Sequence, residues 1–173
     1  MSRLSRFAML AVALPVVAFA QGASGGLTDA GIVGIFDAAN TWDISTGGLA
    51  GTKALRADVK EFGAQLARDH KSVQKQGRDL AKKLGVTPTP VARDFALLVN
   101  YNAAIKQLHG LKGADFDKAF LEYEIAYHKA VIDAVTKQFI PAIKNAELKA
   151  FVEKVAPAFV AHLQMAENLL ARK

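Results

Sequence analysis

The stretch QLARDHKSV, residues 65–73, places a histidine where a long helix should carry an apolar residue. The apolar and small residues around it recur at alternating spacings of three and four, which predicts a helix packed along one face into a bundle. They are Val59, Gly63, Leu66, Val73, Gly77, Leu80 and Leu84. The position between Leu66 and Val73 in this series is His70. Leucine would stabilise the bundle more than an imidazole there, which raises the question of whether His70 has polar neighbours on other helices.

Three other predicted helices carry the same pattern, an apolar seam with one ionisable residue near its middle. These residues are Asp43, His128 and His162. At a rise of ~1.5 Å per residue, the two polar residues of each consecutive helix pair lie within about one turn of the same height. The relative height of the two pairs stays open, but all four residues are central in their helices.

Three imidazoles and a carboxylate that converge in a helical core fit a metal site. Imidazole suits zinc, copper or iron, and zinc takes three or four protein ligands. Glu124, one helical turn before His128, is a fifth candidate ligand. The cofactor considered is one transition-metal ion, and the candidate ligands are Asp43, His70, His128, His162 and Glu124. The alternative is a core without metal, in which Asp43 pairs with one protonated histidine and the others bond backbone or water.

Two further polar residues are interpreted as lying outside this set. Asp69 is turned about 100° around the helix from His70 and is assigned to the solvated face, with support of the histidines as the alternative. His109 lies beside Gly110 at the end of a short helix, off the seam pattern, and is assigned to the surface.

The first twenty residues, MSRLSRFAMLAVALPVVAFA, predict a signal peptide. Arg3 and Arg6 precede an apolar run that ends in AFA at 18–20, the small-x-small pattern that a signal peptidase cuts. The run is shorter than the ~20 residues of a membrane span, and a retained anchor is the alternative. The expected location is the periplasm, with association with the outer membrane left open.

The predicted organisation is a signal peptide at 1–20, a flexible leader at 21–27 and one helical domain at 28–172. With no cysteine the domain has no disulfide, so the core alone must hold it. Removing the signal peptide lowers the formal net charge from +6 to +4, because it carries two arginines and no acid. The basic residues are spread over helical faces without interleaved aromatics, so no nucleic-acid partner is expected. No transmembrane segment is expected in the mature chain, and the partner stays unknown.

The apolar periodicity predicts an all-α fold. Capping and breaking residues, with Thr28 or Asp29 and then Asp115 as expected caps, place the helices at about 28–53, 57–84, 91–111, 115–139 and from 146 onward. Four long helices with a longer connection between the second and third indicate a four-helix bundle of two antiparallel hairpins. The short fifth helix lies in that crossover connection. Several glycines within the helices predict close helix approach, mainly around the first helix.

Three blocks, LARDHKSV, GADFDKAFLEYEIAYHKAV and LKAFVEKVAPAFVAHLQMAENLL, resemble the signature blocks of domain-of-unknown-function family 4142. The resemblance covers roughly 28–170. It implies an exported bacterial protein of ferritin-like fold, often labelled a predicted outer-membrane protein, and Asp43 stands where the family usually has glutamate. The positions it carries over are Asp69, His70, Phe116, Asp117, His128, Pro157 and His162.

Ferritin-like di-iron enzymes use several glutamates and Glu-x-x-His pairs. Here Ala67, Ile125 and Phe159 stand three residues before the three histidines, so di-iron oxygen chemistry is not expected. The leading hypothesis is a non-enzymatic periplasmic bundle with a role in envelope stress or metal handling. Whether it binds one metal ion is left open in this hypothesis. The alternatives are a structural or interaction module with a satisfied polar core and, ranked third, a metal-dependent oxidoreductase. No catalytic residue is predicted.

Overall fold

Residues 27–172, which a computed structural model describes, contain helices and no strand. In chain order the helices are α1 Asp29–Lys53, α2 Ala57–Lys83, α3 Ala96–Gly110, α4 Gly113–Ala134, a π-helical segment Val135–Phe139, α5 Ile140–Ala142 and α6 Ala146–Ala171. The all-α fold class is confirmed for this part of the chain. No helix in the described range is long and apolar enough to cross a membrane. The predicted signal peptide and all but the last residue of the leader lie outside the described residues.

The third helix starts later than predicted, at Ala96 rather than near 91. Residues 91–95 form a turn instead, in which the Phe95 N–H donates to the Ala92 carbonyl at 3.1 Å. The segment before this turn is bound to another helix, because the N–H of Thr89 donates to the Ala30 carbonyl of α1 at 2.9 Å. The connection between α2 and α3 therefore lies against α1 instead of extending α3.

The fourth helix differs from the prediction at both ends. It begins at Gly113, and Asp115 lies inside its first turn instead of capping it. A carboxylate there still faces the positive end of the helix dipole. The α-helical ladder stops at Ala134, before Phe139, because Pro141 has no N–H and its ring crowds the carbonyl four residues earlier. The wider π-helical turn accommodates that defect.

Helices α1 and α2 pack closely and run in opposite directions. Phe36 lies against Gly77, and Gly47 lies against Gly63. Residue numbers thus increase along α1 while those of the contacting residues on α2 decrease. A Cβ added at Gly47 would come within 2.7 Å of the Gly63 carbonyl oxygen. Real Cβ atoms essentially never come that close, so glycine is needed where these backbones meet, as the sequence pattern predicted.

Two aspartates bind the turns that precede α2 and α6. Asp117, near the start of α4, accepts hydrogen bonds from the backbone N–H groups of 55–56, both at 2.8 Å. Asp29, at the start of α1, accepts from the backbone N–H groups of 144–145, both at 2.9 Å. Each carboxylate thus comes from a helix outside the turn that it holds. Together they tie α1 and α2 to α4 and α6 at opposite ends of the domain.

The apolar core divides into two clusters. One contains Ile32, Trp42, Phe139 and Phe159 among others. The other contains Leu66, Leu108, Phe116, Phe120 and Leu169 among others. On every long helix, the ionisable seam residue lies in sequence between residues of one cluster and residues of the other. Polar side chains therefore occupy the level where the two apolar clusters meet.

Candidate metal centre

The five side chains predicted as metal ligands are all buried in the middle of the domain. They are Asp43 on α1, His70 on α2, Glu124 and His128 on α4, and His162 on α6, and we call this set the polar layer. Their exposed fractions are 3%, 2%, 0%, 1% and 4% in that order. Burying five such groups is unfavourable unless each finds a polar partner or a metal ion. His109 is exposed, as predicted.

The three imidazoles of the polar layer form a compact triangle. Ring centroids are 5.1 Å apart for His70 and His162, 5.6 Å for His128 and His162, and 5.8 Å for His70 and His128. One ring nitrogen of each histidine lies within 4.8 Å of one ring nitrogen of each of the other two. Side chains from α2, α4 and α6 are therefore brought to one point by the packing of the helices.

Each of these rings has one nitrogen held by an acceptor. His70 Nδ1 lies 2.9 Å from Asn40 Oδ1, and His128 Nδ1 lies 2.9 Å from the backbone oxygen of Glu124. His162 Nε2 lies 3.1 Å from Asp69 Oδ2. The amide of Asn40 donates through Nδ2 to the Phe36 carbonyl at 2.7 Å, so its oxygen faces the histidine. In a neutral imidazole, the nitrogen that faces an acceptor carries the proton.

The other nitrogen of each ring then carries a lone pair. These nitrogens are Nε2 of His70, Nε2 of His128 and Nδ1 of His162. All three are buried, and none has a hydrogen-bond partner among the described residues. A metal-ligating histidine is usually neutral. One ring nitrogen binds the metal, and the N–H of the other donates to a carboxylate, an amide or a backbone carbonyl.

Two carboxylates complete the polar layer. Glu124 Oε1 accepts a hydrogen bond from Thr46 Oγ1 at 2.7 Å, and Asp43 Oδ2 lies 3.4 Å from His70 Nδ1. Asp43 Oδ1 and Glu124 Oε2 have no donor within residues 27–172. One ligand atom each of Asp43, Glu124 and His128 lies within 4.8 Å of the other two. Two overlapping groups that share His128 could therefore hold a metal ion.

Burial shifts three groups of the polar layer toward their neutral forms. Burial, with His128 and His162 nearby, lowers the pKa of His70 well below its ordinary value of 6.5. Burial also lowers the pKa of His162, against the opposing hydrogen bond to Asp69. Burial and the neighbouring Glu124 carboxylate raise the pKa of Asp43 well above 3.8. At neutral pH, His70 and His162 are therefore uncharged, which is the form that binds metals.

Three residues that support the polar layer were not assigned to it from the sequence. The assignment of Asp69 to the solvated face was wrong in one respect, since its carboxylate binds His162 although its side chain is 43% exposed. Asn40 and Thr46 were missed as partners of His70 and Glu124. Both lie three residues from Asp43, and this i±3 spacing on one helical face is the signal that could have identified them.

A small cavity adjoins the polar layer on the side of α1. Its volume is ≈ 20 Å³, enough for one water molecule. Asn40, Asp43 and His70 form its polar side, and Val135 and Phe139 of the π-helical segment contribute to its apolar side. A hydrogen-bond donor in this cavity could reach the carboxylate of Asp43.

A family model described as "Domain of unknown function (DUF4142)" matches residues 14–169. Comparisons with curated proteins and with solved structures gave no match.

Proposed function

The chain belongs to the DUF4142 family, as its three signature blocks predicted, and on that premise we propose that it binds one transition-metal ion in the polar layer. His70, His128 and His162 are the principal ligands in this proposal. Asp43 and Glu124 supply further oxygen ligands or balance the charge of the ion. The proposed role is metal binding or handling in the cell envelope, without catalysis.

The observation that carries the proposal is a cluster of three buried histidines. One nitrogen of each ring lies within 4.8 Å of the others, and each ring has one nitrogen with no hydrogen-bond partner in the described part of the chain. The second nitrogen of each ring is held by Asn40, by the Glu124 backbone or by Asp69. These hydrogen bonds restrict rotation of the rings. A buried polar atom without a partner costs about 1 to 3 kcal/mol, and a metal ion would remove that cost for all three nitrogens at once.

The donor set fits a borderline metal ion. Three imidazoles with one or two carboxylate oxygens match the ligands of zinc, and copper or iron also accept imidazole. The carboxylates lie on α1 and α4, and Thr46 orients Glu124 by donating to its Oε1. A carboxylate beside the three imidazoles would lower the electrostatic cost of burying a divalent cation.

Binding without catalysis is supported by the enclosure of the site. The five residues of the polar layer are each at most 4% exposed, and apolar clusters lie on both sides. A substrate would need the helices to separate before it reached the ion, whereas a bare ion needs only a brief local opening. The competing structural hypothesis requires a satisfied polar core. The five polar-layer atoms without partners in the described residues favour metal binding over it.

The proposal includes a ferritin-like arrangement of two antiparallel helical pairs, with α3 in the connection between them. Antiparallel packing of α1 on α2 supports the first pair. Contacts of α4 with α6, such as the Lys129–Glu167 ion pair at 2.7 Å, support the second. Export to the periplasm is also proposed. It is supported by the basic start, the apolar run and the AFA site of residues 1–20.

Metal analysis of the protein, purified from the periplasm without a nickel affinity step, tests the proposal directly. We expect about one zinc, copper or iron ion per chain. We also expect the melting temperature of the wild type to fall when a chelator is added and to rise again with the metal. Binding at a free metal concentration 100 times Kd stabilises a folded protein by about 2.7 kcal/mol.

Variants then separate metal binding from structural roles. His70→Ala and His128→Ala should each abolish the metal-dependent rise in melting temperature, whereas His109→Ala, at an exposed position, should keep it. If the wild type melts at the same temperature with zinc, with copper and with chelator, the metal proposal is wrong and the structural hypothesis replaces it.

A further inference from the structure

The solvent-facing side of α2 carries a continuous row of basic residues. At 3.6 residues per turn, six of them fall within an arc of about 80° around the helix and extend along it for about 33 Å. All six are exposed, and no acidic residue of α2 lies inside the arc. We call this set the basic stripe; it consists of Lys60, Arg68, Lys71, Lys75, Arg78 and Lys82.

Most of the charge of the basic stripe is not neutralised by neighbouring helices. Lys75 pairs with Asp79 at 2.6 Å, and Arg78 pairs with Asp37 of α1 at 2.5 Å. The other four, Lys60, Arg68, Lys71 and Lys82, form no ion pair within residues 27–172. Four uncompensated cations on one side of a single helix attract an extended anionic partner over about a Debye length, which is ~10 Å at 0.1 M salt.

We propose that the basic stripe is the surface by which this domain docks on an anionic lipid bilayer. The uninterrupted helix α2 carries these cations on one side along its length, which suits a flat array of lipid headgroups. The large hydrophobic residues that are exposed, Leu55, Val99 and Val160, lie on other parts of the surface. Docking is therefore electrostatic, without insertion, and should be reversed by salt.

A nucleic acid fits this surface less well. Single strands are bound by basic grooves in which aromatic side chains stack on the bases, and the exposed positions inside the stripe hold only lysine, arginine and alanine. The stripe is also separate from the polar layer, because His70 points about 120° around α2 from the middle of the arc. Lipid docking therefore does not depend on the proposed metal.

The test measures binding of the full chain to vesicles of phosphatidylcholine with 30 mol% phosphatidylglycerol, and to vesicles of phosphatidylcholine alone. Every variant keeps residues 1–26, so the neutral vesicles report any binding by the apolar N-terminal run. The stripe variant carries Lys60→Gln, Arg68→Gln, Lys71→Gln and Lys82→Gln. The matched control removes the same total charge from exposed lysines on other elements, with Lys106→Gln, Lys112→Gln, Lys144→Gln and Lys154→Gln.

We expect the stripe variant to bind the anionic vesicles at least about tenfold more weakly than the wild type, since each basic residue near such a surface contributes roughly a fivefold factor. The matched control should lose less than about threefold, and 0.5 M salt should abolish the difference. Equal losses in the two variants would show a net-charge effect and overturn the proposal. Equal wild-type binding to neutral vesicles would overturn it too, as would binding of single-stranded DNA but not of anionic vesicles.

Discussion

Asp117 and Asp43 are equally buried, at 3% exposure each, but their surroundings differ in kind. Both oxygens of Asp117 accept backbone N–H groups at 2.8 Å. Asp43 has one oxygen without a donor in the described residues and lies beside a second carboxylate, Glu124. Burial alone therefore does not distinguish a structural acid from a candidate ligand. The completeness of the hydrogen bonding does.

The two aspartates also contribute differently to the stability of the fold. Asp117 binds the turn before α2, where Arg56 provides no side-chain cap of its own. Each of its two oxygens accepts a backbone N–H, so the carboxylate is satisfied without a metal ion. The polar layer around Asp43 has five buried atoms without a hydrogen-bond partner in the described residues. They destabilise the metal-free fold but could bind a metal ion.

The largest effect is expected for Asp117→Ala. The change leaves two backbone N–H groups unpaired, so the free energy of unfolding should fall by about 3 kcal/mol. The loss should be the same with zinc or with chelator. Urea unfolding of the purified protein measures it. Asp115→Ala, an exposed neighbour in the same helical turn, should cost less than about 1 kcal/mol; equal costs at the two positions would contradict the structural role of Asp117.

The isosteric change from aspartate to asparagine should alter the free energy of unfolding in opposite directions at Asp117 and Asp43. Asp117→Asn replaces an acceptor by an amide and should lower the free energy of unfolding by about 1 to 2 kcal/mol at pH 8. Asp43→Asn removes a buried carboxyl group that is costly to ionise beside Glu124, and should raise the free energy of unfolding by about 1 kcal/mol in the metal-free protein. Because the pKa of Asp43 is raised, the gain should grow with pH. Destabilisation by Asp43→Asn at pH 8 would show that its carboxylate is satisfied after all.

A smaller effect is expected from pH on the metal-free wild type, whose stability should fall between pH 7.5 and 5.5. The pKa values of His70 and His162 are lowered in the fold, so the unfolded chain binds more protons near pH 6.5. Their contribution is present above the unfolded pKa and is lost as the pH falls toward the lowered folded pKa. The raised pKa of Asp43 acts in the opposite direction, which reduces the net slope.

Urea unfolding at several pH values, with chelator present, measures this slope. His70→Gln should flatten it, because one of the two titrating groups is removed. His109→Gln changes an exposed histidine and should leave the slope as in the wild type. A slope in His70→Gln equal to that of the wild type would exclude His70 as its source.

The smallest effect is expected for Pro157→Ala. Pro157 lies inside α6 and has no N–H to donate to the Glu153 carbonyl, so the helix should bend one turn before His162. Alanine should straighten the helix and move the His162 ring, which should weaken zinc binding by less than about tenfold. Competition with a chelator measures the affinity, and a crystal structure of each form shows the axis. An unchanged axis would remove the reason for any change in affinity.

The helical class and the inward positions of the candidate ligands could be predicted because both depend on local periodicity. A seam spacing of three and four places Asp43, His70, His128 and His162 on the packed face of each helix whatever the neighbouring helices are. The errors lie at helix ends, where a turn or a proline interrupts the period. Residues 91–95 form a turn before α3, and Pro141 interrupts the regular bonding at the end of α4.

The sequence by itself determined that four long helices form and that each carries one ionisable residue on its packed face, because side-chain direction follows from helix period. Only the tertiary structure decided which nitrogens are free. Asn40 and Asp69 each hold one ring nitrogen from another helix, 30 and 93 residues away. The double backbone bond to Asp117 likewise spans 61 to 62 residues. Such pairings depend on how the helices meet in space, and no periodicity along a single helix encodes them.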